Sequence, residues 1–335
     1  MQAQPTSPDV SIIVPAYNTE LYIAQAIDSA LGQTFKNIEV IVVDDASTDS
    51  TLAIAQKYTD PRLRVIQHPQ NLGAGAARNT ALDAAQGQWI AVLDSDDWFA
   101  ADRVEALLQF TEIEDTEFIA DDLFFILDGE TQPRSTLLEE ADSFIKTPQF
   151  IDPLLFVETR RKLKLAYTKP LIRRKFLKQY NLRYDPALRL GQDYWFYMSC
   201  FLKGARFFLV PEPYYFYRLR KNSLVNESRA ERFDGFCKAA HEFLQLPDVF
   251  KNLALQNALQ LNLRSYKRGR AYYRVVEPLK QKKWGKAVHQ MLHNPSFFTE
   301  FLKQLSEIIG RRWDYYVKGN TLAYEARLQK KSTSE

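Results

Sequence analysis

A chain of 335 residues with 46% hydrophobic content is long enough for one large catalytic domain plus an appendage, and it holds enough apolar material for a full core. Its two cysteines, Cys200 and Cys237, lie far apart without a metal-binding spacing, as expected of reduced thiols in a cytoplasm. The net charge of +3 hides an asymmetry: residues 251–335 carry 17 Lys and Arg against 6 Asp and Glu, which leaves residues 1–250 at −8.

The first ten residues, MQAQPTSPDV, lack the charged and apolar regions of a signal peptide, and no stretch approaches bilayer-spanning length. The reading is a disordered lead over 1–8 on a protein made and kept inside the cell. Ser11–Asn18 (SIIVPAYN) and Ile38–Ser47 (IEVIVVDDAS) are apolar strands that end in polar residues. Residues 19–34 place Leu21, Ile23, Ala26, Ile27, Ala30 and Leu31 near helical periodicity. Ser47 is then expected to cap a helix containing Leu52, Ala53 and Ile54, and Leu63–Ile66 to form a short strand. Strand and helix alternate, which calls for an α/β fold: a mostly parallel central sheet with right-handed crossovers and helices on both faces.

Gly73-Ala74-Gly75-Ala76-Ala77-Arg78 half matches a dinucleotide-binding fingerprint, but Arg78 stands where the third glycine belongs. Trp89–Leu93 reads as a buried strand and delivers Asp94-Ser95-Asp96-Asp97 to its carboxyl end, where open α/β sheets bind ligands. Three carboxylates in four residues ask for a cation, and an all-oxygen set suits Mg2+ or Mn2+ rather than zinc. A solvated acidic loop or a helix N-cap is the plainer alternative. Ala120-Asp121-Asp122 offers two further carboxylates, either for acceptor hydroxyls or at a sheet edge.

The succession SIIVPAYN, VVDDAS, NLGAGAARN, DSDD and GQDYWF resembles the family 2 glycosyltransferases, inverting enzymes of the nucleotide-sugar-binding A-type fold, over roughly residues 9–224. The resemblance implies that Pro15, Ala16 and Tyr17 lie against the nucleoside and that Asp45 accepts a hydrogen bond from a uracil ring. It puts Arg78 beside the nucleotide, with Asn71 and Gly73 in the same segment and Asn79 as a cap or brace. It makes Asp94 and Asp96 the two ends of a metal-binding DXD signature around Ser95, and Asp193 in GQDYWF the general base. Gln192 departs from the family, where a Glu often precedes that base. Asp193 also reads as a helix N-terminal residue facing the macrodipole, and the two roles are compatible.

Phe207–Val210 reads as a strand, followed by Pro211-Glu212-Pro213 and the aromatic strand Tyr214–Arg218. After it, Arg218, Arg220 and Ser223 stand where a loop could close over a diphosphate. The expected organisation is a catalytic domain over 9–225, with a nucleotide half to 110 and an acceptor half from 111, then a basic helical extension over 226–330 and a tail over 331–335. The extension interleaves cations with aromatics at Tyr266–Arg274, Lys280–Lys286 and Arg311–Tyr316, which suits an anionic membrane surface over about residues 251–320. Its apolar stripe at Phe297, Phe298, Phe301, Leu302, Leu305 and Ile308 suits packing on the catalytic domain or a second subunit equally well. His289 and His293 form an i,i+4 pair without a carboxylate, read as a surface or packing feature. No nucleic-acid partner is expected.

Within the family, the layout looks like bacterial exopolysaccharide glycosyltransferases of the succinoglycan-assembly kind. The function this implies is metal-dependent, inverting transfer of a hexose, glucose foremost, from a UDP-sugar to a hydroxyl of a glycan or glycolipid acceptor. A non-catalytic nucleotide-sugar-binding scaffold and a nucleotidyltransferase are the rival classes.

Overall fold

The computed structural model describes residues 7–113, 116–157, 164–188, 191–220 and 228–305. Most of the lead, Ser223, Ile308, the Arg311–Tyr316 cluster and the tail lie outside the described residues. The chain divides into two compact units, residues 1–221 and 222–335.

The first unit alternates strand and helix through β1 (Val10–Ala16), α1 (Ile23–Leu31), β2 (Ile38–Asp44), α2 (Thr51–Ala55), β3 (Leu63–Gln67), α3 (Ala74–Ala84) and β4 (Trp89–Val92). It continues with β5 (Trp98–Phe99), α4 (Arg103–Leu108), β6 (Phe118–Leu127), β7 (Ser135–Thr136), α5 (Leu137–Glu140) and β8 (Gln149–Ile151). The last elements are α6 (Pro153–Val157), β9 (Leu171–Arg173), α7 (Arg174–Gln179), α8 (Gln192–Leu202) and β10 (Phe207–Leu219). One sheet takes the order β3-β2-β1-β4-β9-β6-β10-β5. Its long pairings, β1 with β2 and β4, β2 with β3, and β6 with β10, are parallel. The antiparallel pairings are short, two or three residue pairs each. This is the expected α/β architecture, with helices covering a mostly parallel sheet.

β1 is buried along its whole length, as its unbroken apolar run requires of a strand covered on both faces. Val10, Ile12 and Val14 pack with Ile23, Ile27, Val40, Val42 and Ala91 in one core cluster. Because β1, β2 and β4 run parallel, Tyr17, Asp45 and Asp94 leave the sheet at the same edge.

Three local expectations change. α1 starts at Ile23, after a turn in which the Tyr22 and Ile23 N–H groups donate to the Thr19 carbonyl. Ser47 does not cap α2: that helix begins at Thr51, whose N–H goes to Asp49, while Ser47 Oγ accepts the Asn18 N–H at 3.1 Å. Pro211-Glu212-Pro213 does not end a strand, since β10 runs through it with register shifts between Val210 and Tyr215.

The second unit is helical: α9 (Arg229–Leu244), α10 (Pro247–Phe250), α11 (Leu253–Lys280) and α12 (Trp284–His293), with residues 296–305 also helical. α9 and α11 meet where Gly269 admits the Phe233 ring; a Cβ at Gly269 would lie 2.6 Å from it. Arg270 and Arg274 both bind Asp234, Tyr273 stacks on Phe233, and Tyr272 stacks on the buried Phe297. Most of the aromatics and two of the cations in the Tyr266–Arg274 segment are thus committed to packing within this unit. His289 and His293 stack with ring centroids 4.1 Å apart.

Candidate active site

The acidic cluster begins where β4 ends. Asp94 Oδ1 accepts from Arg78 Nη2 at 2.6 Å and Asp94 Oδ2 lies 2.9 Å from Lys169 Nζ. Burial alone would raise the Asp94 pKa, but Lys169 and Arg78 hold it well below the usual carboxylate range. Asp96 faces Arg220 Nη2 at 2.5 Å; burial pushes its carboxyl up against the pull of that arginine. Asp97 turns inward, 2% exposed, and accepts from the Tyr215 hydroxyl (2.7 Å) and the Arg218 N–H (2.8 Å). The repulsion foreseen within Asp94–Asp97 is therefore offset largely by side chains: Arg78 from α3, Lys169 from just before β9, and Arg220 from just after β10.

Asp193 joins this cluster from a different element. Gly191, in the left-handed conformation at φ 69°, allows the chain to enter α8, and Asp193 sits in the helix's first turn. Its Oδ2 accepts from Lys169 Nζ at 2.5 Å and its Oδ1 stands 4.0 Å from Arg78 Nη1. That Oδ1 is buried with no hydrogen-bond partner. Gln192, where a second carboxylate was the family's pattern, accepts from Arg78 Nη1 at 2.7 Å and donates to the Leu188 carbonyl. A neutral amide at this position orients the Arg78 guanidinium without drawing off its charge, which remains directed at Asp94 and Asp193.

The nucleoside residues show a split. Tyr17 is 44% exposed at the end of β1, open to stack on a ring, while Ala16 is buried and its carbonyl accepts the Asp45 N–H. Asp45 is 2% exposed and its oxygens already hold His68 Nδ1 (2.7 Å) and the Leu72 and Gly73 N–H groups (2.9 and 2.7 Å). It shapes the loop at Gly73, whose φ of 90° demands glycine, and a uracil would have to share a carboxylate already engaged. Asp44 Oδ1, by contrast, is buried and unpartnered. Asn71 Nδ2 donates to the Asp45 carbonyl, and Asn79 braces Tyr184 through both backbone groups. Ser95 is buried in the middle of the acidic turn.

Two expectations are corrected. Arg218 is part of β10 and 9% exposed, with Nε on the Asp96 carbonyl and Nη2 on Gln25, so it is a strut under the acidic turn and not part of a closing loop. Asp121 and Asp122 lie on the interior strand β6, not at an edge, and neither is open to an acceptor: Arg103 forks Asp121 at 2.9 and 2.7 Å, and Asp122 Oδ1 takes the Leu123 and Leu138 N–H groups. The sequence reading missed Lys169 and Tyr215, whose hydroxyl also accepts the Asp94 N–H. A lone lysine before a proline carries no local signal; its importance comes from strand pairing.

For a hard divalent cation, the donor set is partial. Both Asp94 oxygens are taken by cations, whereas Asp96, 19% exposed at the side chain, has a single arginine partner and too little compensation for its burial. Among the described residues no three Asp, Glu, His or Cys side chains converge on one point. One carboxylate with substrate phosphates and water is an arrangement Mg2+ accepts, and of the expected pair Asp94 and Asp96 it is Asp96 whose surroundings fit such an ion.

The model of glycosyl transferase family 2 matches residues 11–180. The succinoglycan biosynthesis protein ExoO of Rhizobium meliloti is 35% identical over 293 residues, covering 86% of this chain and 82% of that protein. A stretch of 109 residues, 32% of this chain and 43% of the relative, is 45% identical to the Escherichia coli UDP-Glc:alpha-D-GlcNAc-diphosphoundecaprenol beta-1,3-glucosyltransferase WfaP. Among solved structures, Staphylococcus aureus TarS 1–349 superposes with a TM-score of 0.62 at 25% identity, over 85% of this chain and 80% of that one. The chain belongs to glycosyl transferase family 2 and is a glycosyltransferase of that family's α/β fold.

Proposed function

We propose that the protein is an inverting glycosyltransferase that moves a hexose, glucose in the first instance, from a UDP-sugar to a hydroxyl of a lipid-linked or growing polysaccharide in exopolysaccharide or cell-surface glycan synthesis. The observation that carries this reading is Asp193 Oδ1: a buried carboxylate oxygen without a hydrogen-bond partner, supplied by a different element from the acidic turn. Asp193 Oδ1 takes the acceptor's hydroxyl proton as the oxygen forms its bond to the sugar's anomeric carbon. The bond from that carbon to the phosphate oxygen breaks on the opposite face, its electron pair leaves with the nucleoside diphosphate, and configuration inverts. In this reading Arg220 and Asp96 would face the departing diphosphate, and the exposed Tyr17 the nucleoside base. A divalent ion, Mn2+ or Mg2+, bound at Asp96 would stabilise the leaving diphosphate as a Lewis acid. ExoO and WfaP, by their names, supply the polysaccharide context and the glucosyl donor for this proposal.

The acceptor side is read from the second unit. α12 exposes Trp284 (65%), Val288 (54%) and Leu292 (77%) at successive i,i+4 positions, beside exposed Lys280, Lys282, Lys283 and Lys286. An apolar stripe with a tryptophan among lysines suits the surface of an anionic bilayer. The reading is a peripheral protein at the inner face of the plasma membrane, and no helix among the described residues is long and apolar enough to cross one.

Release of nucleoside diphosphate from UDP- and GDP-sugars with Mn2+ or Mg2+, with and without a glycolipid extract, tests the proposal. Metal-dependent turnover is expected to fall at least about 100-fold in Asp193→Asn with nucleotide binding retained, and to collapse in Asp96→Ala. Nucleotide binding without turnover on any donor would replace the enzyme by a binding scaffold, and pyrophosphate release from a nucleoside triphosphate by a nucleotidyltransferase.

A further inference from the structure

Lys169 is 3% exposed, yet its ammonium sits between two carboxylates from different parts of the chain, Asp94 Oδ2 at 2.9 Å and Asp193 Oδ2 at 2.5 Å. Topology puts it there. β9 runs antiparallel to β4, with Leu171 opposite Ala91, so the residues just before β9 lie beside the end of β4 that delivers Asp94. The backbone at this point is fastened from two sides. The Lys169 carbonyl accepts from Arg103, a fully buried residue itself forked onto Asp121, and the Thr168 carbonyl accepts from the Tyr197 hydroxyl at 3.2 Å. Tyr197 belongs to α8, one turn beyond Asp193. The lysine and the helix that carries the base are thus joined twice, once through side-chain charge and once through the backbone.

We infer that Lys169 is a positioning residue for the transfer reaction: by binding Asp193 Oδ2 while held from the core, it fixes the orientation of the carboxylate and leaves Oδ1 without a hydrogen bond. The inference rests on the reading of Asp193 as the base. Lys169 is too buried to touch donor or acceptor, so its effect passes through Asp193. The charged and titratable groups around that carboxylate are Lys169, Arg78 at 4.0 Å, Tyr184 and Tyr197. Arg78 leans on Asp94 at 2.6 Å, which leaves Lys169 as the closest cation to the base.

The experiment measures kcat per titrated active site and donor KM for wild type, Lys169→Met, Lys169→Arg and Asp193→Asn in the full-length protein, with UDP-sugar and Mn2+. In Lys169→Met, kcat is expected to fall by about 100-fold or more while donor KM changes less than about threefold. That split is expected because the base loses its orientation while the donor's own contacts stay in place. Lys169→Arg keeps the charge but alters its reach, so kcat is expected to fall at least about tenfold. A wild-type kcat per titrated active site in Lys169→Met overturns the inference, since a merely structural ion pair would lower the amount of active protein without changing turnover per site. Should Lys169→Met fail to fold by circular dichroism, Lys169→Arg decides: wild-type kcat there overturns the inference. Full turnover in Asp193→Asn would instead remove the base assignment itself, whatever Lys169 does.

Discussion

Asp122 shows how a residue that resembles a site can be spent on the fold. It is 2% exposed on an interior strand, and burial pushes its carboxyl up to about 6 against the hydrogen bonds from Thr136, Leu123 and Leu138. A raised folded pKa means that between about pH 4 and 6 the unfolded chain releases a proton the native chain keeps. Stability from this group is therefore greatest below pH 4 and is lost as pH rises through 6, by up to about 3 kcal/mol on the linkage relation. Asp122→Asn, whose amide oxygen can keep both backbone bonds and whose NH2 can turn to the Thr136 hydroxyl, is expected to be more stable than wild type at pH 7 and to lose that advantage toward pH 4. Urea unfolding at both pH values checks this; an equal offset at the two would show the carboxyl is not protonated in the fold. Asp121, its neighbour, carries the same letter in the sequence and a different task, the fork to Arg103 that supports Lys169.

At the scale of elements, the pairing of β1 with β4 sets the site's geometry, and Gly87 is the residue that lets those strands approach. A Cβ there would lie 2.5 Å from the Ser11 nitrogen and 2.8 Å from the Val10 carbonyl carbon, backbone atoms that cannot swing aside. The Gly87 N–H also donates to Ser11 Oγ at 2.8 Å, and Ser11 Oγ in turn donates to Glu39 at 2.6 Å, which ties the start of β4 to β1 and β2. Gly87→Ala is expected to cost about 2 kcal/mol or more, as overpacking against fixed backbone does. It should also reduce transfer in the molecules that remain folded, because β4 runs from just after Gly87 to just before Asp94. Thermal unfolding paired with a turnover assay measures both; an unchanged melting temperature would show that the strand ends can separate without consequence. The alternation of β1, α1, β2 and α2 was legible in the sequence because apolar runs and helical spacing are local. Continuity of β10 through Pro211-Glu212-Pro213 was not, since that bulge is held by pairing with β6, more than eighty residues earlier.

For the molecule as a whole, the charge asymmetry divides into spent and unspent parts. Arg270 and Arg274 are paired with Asp234, whereas Lys280, Lys282, Lys283 and Lys286 stay exposed beside the apolar face of α12. Each exposed lysine near an anionic bilayer contributes about 1 kcal/mol, and the contribution is screened by salt. Sedimentation with phosphatidylglycerol vesicles at low salt is expected to capture the protein, phosphatidylcholine vesicles to leave it in solution, and Lys282→Glu with Lys283→Glu and Lys286→Glu to weaken capture by at least about 100-fold on that scale. Equal partition to both lipids would point to the apolar stripe alone, and a concentration-dependent dimer that hides Trp284 would assign α12 to a second copy of the chain.

The sequence by itself determined the sheet-and-helix alternation, the family, and the placement of Asp94, Asp96 and Asp193 as acidic residues at strand and helix ends, because each depends on a run of neighbours and on residue order. Tertiary structure alone decided what neutralises them. Arg78, Lys169 and Arg220 come from three separated segments, and the sheet order brings them to one edge. It also decided which carboxylate oxygens remain free, since Asp45 and Asp121 read from the sequence like Asp193 and yet have their oxygens bound within the fold. Burial and pairing across long sequence separations set the charge state and aim of a side chain, and neither is a property of local sequence.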